Sequence, residues 1–380
     1  MLPPAGESRL RYGPGTATGT PFPSSGIGFC DQFDRHLEAL EKKIEECRRL
    51  RRSAPEGEML AAAEADRLLE EGRAVGRNLG ELLTPDRGGF VYWMEKGSGG
   101  ASLHAAPCEV GPHLRDALFR RKRAVVLTSA TLALEGQFEH QARKLGLDPD
   151  GYEGLILPTP FHLAEQVAAR IVTGVPEPND PAFADALAQG IELLARRARR
   201  KMLVLFTSHD ALRRVEARVR APLTERGIRL HAQGVDGGHR QVRAGFREQG
   251  PAVLLGAASF WEGVDFPGEE LEILLMARLP FLVPTDPLVE AMGERLQAEG
   301  QDPFRAFQLP EAMIRFRQGF GRLIRRVTDR GLFAVIDPRL QSRNYGARFQ
   351  RAVGVPFRVV PGWEELAAEA ESWFQVPPGA

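Results

Sequence analysis

The residues that decide the fold are AVLLGAASFWEGVDFPGEELEILLMAR, 252–278. Two nearly continuous apolar runs, 252–258 and 271–278, flank a loop carrying Glu262, Gly263, Asp265 and Gly268. A strand with one wet face alternates apolar and polar residues, whereas these runs do not alternate, so both faces are buried, as in a parallel sheet between helical layers. Similar runs stand at 124–130, 167–172, 201–208 and 332–337. Helical spacing of apolar residues fills the intervals 181–200, 209–226, 286–299 and 311–327. Strands alternating with helices predict an α/β fold: a parallel sheet with helices on both faces.

Toward the N-terminus the texture differs. Residues 33–50 carry apolar residues at steps of three and four, and 59–83 form a second helical run, together a helical hairpin. GGFVYWMEK (88–96) and ASLHAAP (101–107) then read as a β-hairpin about 97–100. Residues 1–30, rich in Gly, Pro, Ser and Thr without periodicity, read as a disordered leader.

Composition excludes several classes. Lys+Arg and Asp+Glu both number 50, so net charge points to neither nucleic acid nor membrane. No run of 18 apolar residues and no signal-like N-terminus occurs, which makes a cytoplasmic location the expectation. Cys30, Cys47 and Cys108 are too scattered for a disulfide framework or a four-cysteine metal site, and no metal ligands are assigned. GPGTATGT (13–20) lacks the Gly-Lys-Ser/Thr ending of a phosphate loop, and none of the six lysines follows a glycine.

In parallel sheets ligands gather beyond the carboxyl ends of the strands. The residues there are hydroxyl-rich or charged: Thr128 to Thr131, Thr207 to His209, Ser259 to Asp265, and Asp337 to Arg339. QGFGRLIRR (318–326) is a further candidate. On a continuous helix Phe316, Phe320, Leu323, Ile324 and Val327 share one face while Gln318, Arg322 and Arg325 share the other. A solvated polar face is the plain alternative. It leaves Gly319 and Gly321 unexplained, each costing roughly 1 kcal/mol relative to alanine inside a helix, and a close approach by a ligand or another backbone would account for them. Two guanidinium forks suit a polyphosphate. For Glu262 and Asp265, ligand contact and simple pairing with nearby arginines both remain open.

Several ordered stretches resemble the DinG/XPD group of superfamily 2 DNA helicases, the DinG-like branch most closely. LTSATL (127–132) is similar to motif III, LVLFTSHDAL (203–212) to motif IV, GAASFWEGVDFPGEEL (256–271) to motif V, and LPEAMIRFRQGFGRLIRRVTDRG (309–331) to motif VI. RLPF (278–281), DPL (286–288) and DPRL (337–340) fall in family order, and weaker likeness extends coverage to roughly 33–357. The resemblance implies a second RecA-like domain at 165–380, the last part of a first RecA-like domain at 121–164, and the returning part of an inserted helical domain with the hairpin at 31–120. It implies that Arg322, Arg325 and Gln318 face the ATP phosphates, the arginines as fingers, with Glu262, Gly263, Asp265, Gly319 and Gly321 near the nucleotide. Ser129, Ala130 and Thr131 would couple nucleotide state to DNA, and Thr207, Ser208, Gln233 and Ser259 would contact single-stranded DNA. Walker A and a DEAH-type Walker B precede this region in the family and do not occur here. ATP and Mg2+ would therefore be bound mainly by a missing N-terminal helicase half, on the same longer polypeptide or a separate subunit. An iron–sulfur cluster stays open for the full enzyme, with no ligands in this chain. The alternative is a stand-alone nucleic-acid-binding or regulatory remnant without ATPase activity.

Overall fold

The computed structural model describes residues 9–14, 16, 19, 24–50, 56–85, 87–97, 100–261, 263 and 265–375. Contacts divide the chain into two units, one drawn from 1–113 and 283–303, the other from 114–282 and 304–380. The segment 283–303 thus interrupts the 165–380 domain expected from the sequence. Among the described residues no helix is long and apolar enough to cross a membrane.

The smaller unit contains an antiparallel sheet of β1 (Arg9–Tyr12), β2 (Phe90–Gly97) and β3 (Gly100–Pro107), in that spatial order. The helices Ser24–Leu50 and Glu56–Leu83 pack side by side as the expected hairpin. The leader expectation is corrected at β1: Arg9 pairs with Glu95 and Tyr12 with Tyr92 in register, and helix begins already at Ser24. A four-residue strand is too short to show a period, and its hydrogen-bond partners lie some 80 residues along the chain. Tyr12 is 1% exposed and its hydroxyl donates to the Leu82 carbonyl at 2.8 Å. Arg9 and Arg11, on the opposite face, reach Asp286 at 2.6 Å and Glu294 at 2.8 Å, at and within the helix Pro287–Ala298. Exposed ion pairs contribute about 1 kcal/mol or less each, so burial of Tyr12 does more than they do to hold this strand in place.

The larger unit is a seven-stranded parallel sheet. Its strands are β4 (Val167–Val172), β5 (Lys201–Leu205), β6 (Arg229–Ala232), β7 (Ala252–Gly256), β8 (Ile273–Met276), β9 (Gly331–Val335) and β10 (Phe357–Val360), ordered β10-β4-β9-β8-β5-β7-β6. Period-two alternation divides the side chains between two cores. Leu203, Leu205, Leu254, Leu274, Met276 and Phe333 face the helix Leu309–Phe320, through Met313, Phe316 and Phe320. Met202, Val204, Val253, Leu275 and Leu332 face the helices Phe183–Ala198, His209–Glu225 and Trp363–Gln375. The predicted layers are therefore present, with apolar residues on both sides of every central strand.

Two sequence expectations change. The edge strands β6 and β10 read RLHA and FRVV and were not expected, because an edge strand is only partly covered and its composition is mixed. Conversely, 124–130 forms no strand in this structure: it is irregular, with Val126 90% and Leu127 42% exposed. An apolar run becomes a strand only where neighbours accept and donate its backbone hydrogen bonds, and the sheet of this unit ends at β10 and β6 without reaching it.

Leu274, fully buried in the central strand β8, gives a direct test of the packing. Leu274→Ala is expected to lower unfolding free energy by roughly 2–5 kcal/mol, read as a lower urea midpoint with unchanged slope. A loss well under 1 kcal/mol would show that β8 does not occupy the centre of the core.

Candidate functional site

Beside the carboxyl end of the helix Leu309–Phe320 lies a cleft of about 1110 Å³, within the larger unit. One wall is formed by 127–133 and 155–165, the other by 317–325 and 351–354. Ser129, Ala130, Thr131, Gln318, Gly321, Arg322 and Arg325 all line it. The structure therefore brings together the residues expected to meet phosphate and the residues expected to couple.

It does so by a different local geometry from the one expected. The helix stops at Phe320 instead of continuing to 327, so Arg322 stands on a turn and Arg325 on the irregular stretch after it, rather than sharing a helical face with Gln318. The cause is competition for backbone groups. Arg322 N–H bonds back to Gly319 O and Leu323 N–H to Phe320 O, tightening the last turn. Beyond it, Asp329 accepts from the N–H groups of Arg325 and Arg326, both at 2.8 Å. The Gln166 side-chain amide donates to the carbonyls of Arg326, Val327 and Asp329, at 3.2, 3.1 and 2.9 Å. Asp329 and Gln166 are 5% and 6% exposed, so these bonds form away from water, where an unmade one would be costly.

The room at Gly319 is taken up by side chains. A Cβ there would lie 2.6 Å from Met276 Cε and 2.9 Å from Trp261 Cε3. The residue is buried and admits the indole ring of Trp261, whose Nε1–H donates to Phe206 O at 2.9 Å. The close approach inferred from the sequence is real, but its partners are side chains. Gly321 closes the helix and borders the cleft.

Charges around the turn are specifically placed. Arg322 Nε donates to Trp261 O at 3.1 Å, and Arg325 Nε lies 3.1 Å from Asp265 Oδ1. Of the two readings left open for Asp265, arginine pairing is therefore observed. Gly263 has φ +76°, a left-handed conformation suited to glycine; Glu262 lies outside the described residues. The Gln318 Oε1 atom is buried in the cleft wall without a hydrogen-bond partner.

The segment 130–144 is tied in three places to the helices Leu309–Phe320 and Gly346–Val353. Arg317 donates to Ala133 O at 2.6 Å and Ala130 O at 2.5 Å. Glu135 pairs with Arg348 and Arg351, and hydrogen bonding from Arg348 draws its carboxyl below the usual range. Glu311 accepts from His140 at 2.8 Å and Lys144 at 2.7 Å. Burial opposes ionisation of Glu311, but these two partners outweigh it and hold its carboxyl at about 2 against an ordinary 4.5. Ser129 and Thr131 form a local hydroxyl turn, with Thr131 N–H donating to Ser129 Oγ at 3.2 Å.

The residues expected to contact nucleic acid converge at one end of three adjacent strands, β5, β7 and β6. Gln233, after β6, donates to Ser259 Oγ at 2.8 Å and accepts from Ala257 N–H, so it ties that strand end to β7. Ser208, after β5, caps the helix His209–Glu225 by accepting from Ala211 N–H, and Thr207 precedes it.

Residues 191–355 match the helicase C-terminal domain family. Over 271 residues the chain is 39% identical to the Bacillus subtilis protein named 3'-5' exonuclease DinG, covering 69% of this chain and 29% of that protein. Over 273 residues it is 34% identical to the ATP-dependent DNA helicase YoaA of Escherichia coli, covering 72% of this chain and 42% of that one. A solved XPD helicase structure superposes with a TM-score of 0.55 at 15% identity, covering 81% of this chain and 56% of that chain, which shows a shared fold. Residues 191–355 form a helicase C-terminal domain, similar to that of the DinG and YoaA proteins.

Sequence reasoning about this helicase domain missed Arg317, Asp329 and Gln166. The acceptors of Arg317 lie 184 and 187 residues away, and Gln166 stands 163 residues from Asp329. No local spacing could reveal such pairs. The helicase domain also acquires an acid-sensitive tie through Glu311. Because its folded pKa is depressed, its stabilisation is present above about 4.5 and is lost as pH falls toward 2. Glu311→Gln is expected to be less stable than wild type at neutral pH, and to converge with it near pH 2, in urea titrations. A constant difference at every pH would remove the ionic tie.

Proposed function

We propose that this chain supplies the C-terminal half of an ATP-dependent DNA helicase. The gathering of Gln318, Arg322 and Arg325 on one cleft beside Ser129–Thr131 carries this reading. The buried Gln318 Oε1 without a partner indicates a donor yet to be met, and the adjacent guanidinium groups suit phosphate oxygens. Arg322 and Arg325 act as fingers that neutralise charge developing on the transferred phosphoryl group, while Gln318 orients the attacking water. Gly263 and Asp265 hold the neighbouring loop at the nucleotide's edge.

ATP and Mg2+ are held mainly by the first RecA-like domain of the N-terminal half, on the same polypeptide or on a partner subunit. The apolar, exposed runs 124–127 and 155–157 support that partnership, with Val126, Leu155 and Leu157 at 90%, 78% and 75% exposure. They are segments of that domain, and its sheet provides the neighbours they lack. Ser129, Ala130 and Thr131 transmit nucleotide state to the DNA. Thr207, Ser208, Gln233 and Ser259 grip single-stranded DNA through its backbone, where hydroxyl and amide groups bind phosphate without reading bases.

The test is reconstitution with a polypeptide bearing the Walker motifs. The chain alone is expected to show no DNA-stimulated ATP hydrolysis, and the completed enzyme to show it. In the completed enzyme Arg322→Ala is expected to lower kcat by about 10³-fold or more, with DNA affinity within a few-fold. Lysine at 322 should not rescue, because it lacks the planar fork. Hydrolysis by the pure chain would overturn the divided site, and normal turnover by the alanine variant would overturn the finger role.

A further inference from the structure

Arg278 stands where the row of strand-end residues continues past β5. Leu205 of β5 and Met276 of β8 are register partners, so Thr207 and Arg278 each stand two residues beyond the same rung. Neighbouring strands are about 4.8 Å apart. In the order β9-β8-β5-β7-β6, the strand ends present Arg339, Arg278, Thr207 with Ser208, Ser259, and Gln233.

The two arginines differ in their partners. Arg339 forms a two-pronged pair with Asp337, at 2.8 and 2.6 Å, and Asp337 also accepts from Leu279 N–H at 2.9 Å. Asp337 is fully buried and fully engaged. Arg278 donates to the neutral Asn179 Oδ1 at 2.9 Å and makes no direct ion pair among the described residues, the Asp337 carboxylate acting on it only at longer range. Burial first, and then the Arg339 charge, disfavour its protonated form, and the Asp337 charge offsets them only in part. A half-buried guanidinium with no anion in direct contact is poorly compensated in the free protein and is relieved by an anion that docks on it.

We propose that Arg278 is a phosphate contact for single-stranded nucleic acid, extending the strand-end path from β6, β7 and β5 onto β8. The proposal rests on the reading of Gln233 and Ser259 as backbone contacts. An ionic contact is added to a row otherwise made of hydroxyl and amide groups, and it gives that row its dependence on salt. Asn179 holds the guanidinium while leaving its remaining N–H donors for phosphate oxygens.

The experiment is fluorescence anisotropy of a labelled oligothymidylate with the full chain across a salt series. Arg278→Gln keeps a side-chain amide for Asn179 and removes the charge. It is expected to weaken binding about tenfold and to reduce the slope of log affinity against log salt by about 0.7. Gln233→Ala with Ser259→Ala is expected to weaken binding without changing that slope. If the double variant weakens binding while Arg278→Gln binds with wild-type affinity and slope, the Arg278 contact is overturned and the strand-end path stands. If neither variant changes binding, both are overturned. Competition by inorganic phosphate or ATP beyond that of chloride at equal ionic strength, abolished by Arg278→Gln, would assign the site to a free phosphate and overturn the nucleic-acid contact.

Discussion

The candidate site depends on the capture of one turn of backbone by two buried side chains. Asp329 accepts the N–H groups of Arg325 and Arg326, and Gln166 donates to the carbonyls of Arg326, Val327 and Asp329. Without them, the apolar spacing of Phe316, Phe320, Leu323 and Ile324 favours another turn of helix. Side-chain hydrogen bonds that satisfy the backbone locally offer an alternative to the helical ladder. The outcome is that Gln318 lies in the last turn of a helix while Arg322 and Arg325 stand beyond it, and all three still border one cleft.

The sheet provides the rigidity this arrangement needs. Met276 of β8 and Trp261 after β7 fill the space that Gly319 leaves open, so the helix end is set directly against two strand ends. Trp261 also receives Arg322 at its carbonyl and donates from its indole to Phe206 O, after β5. One residue thus links the arginine turn to the strand ends bearing Thr207 and Ser259. That is a physical route by which groups on the cleft and groups at the strand ends can influence one another, through packed side chains and not through a flexible loop.

Much of this was legible in the residues. The central strands β4, β5, β7, β8 and β9 are apolar on both faces and announce themselves as runs. The edges β6 and β10 do not, because partial cover allows arginine and histidine into them. Residues 124–130 have the composition of a buried strand and yet lie exposed, since composition records what a segment can bury and not whether a neighbour is present. Gly319 was readable as a close approach, but the identity of the approaching group was not, because Trp261 lies 58 positions earlier in the chain.

The sequence by itself determined the layered parallel α/β fold, the order of its motifs, and which residues would gather at the carboxyl ends of the strands. Those properties follow from local periodicity and from the geometry common to all parallel sheets. Only the tertiary structure decided where the arginine helix ends, which arginines are neutralised, and which wall Arg317 holds. Each of these rests on a hydrogen bond or ion pair between groups remote in sequence, and a pairing of that kind leaves no spacing in the chain to be read.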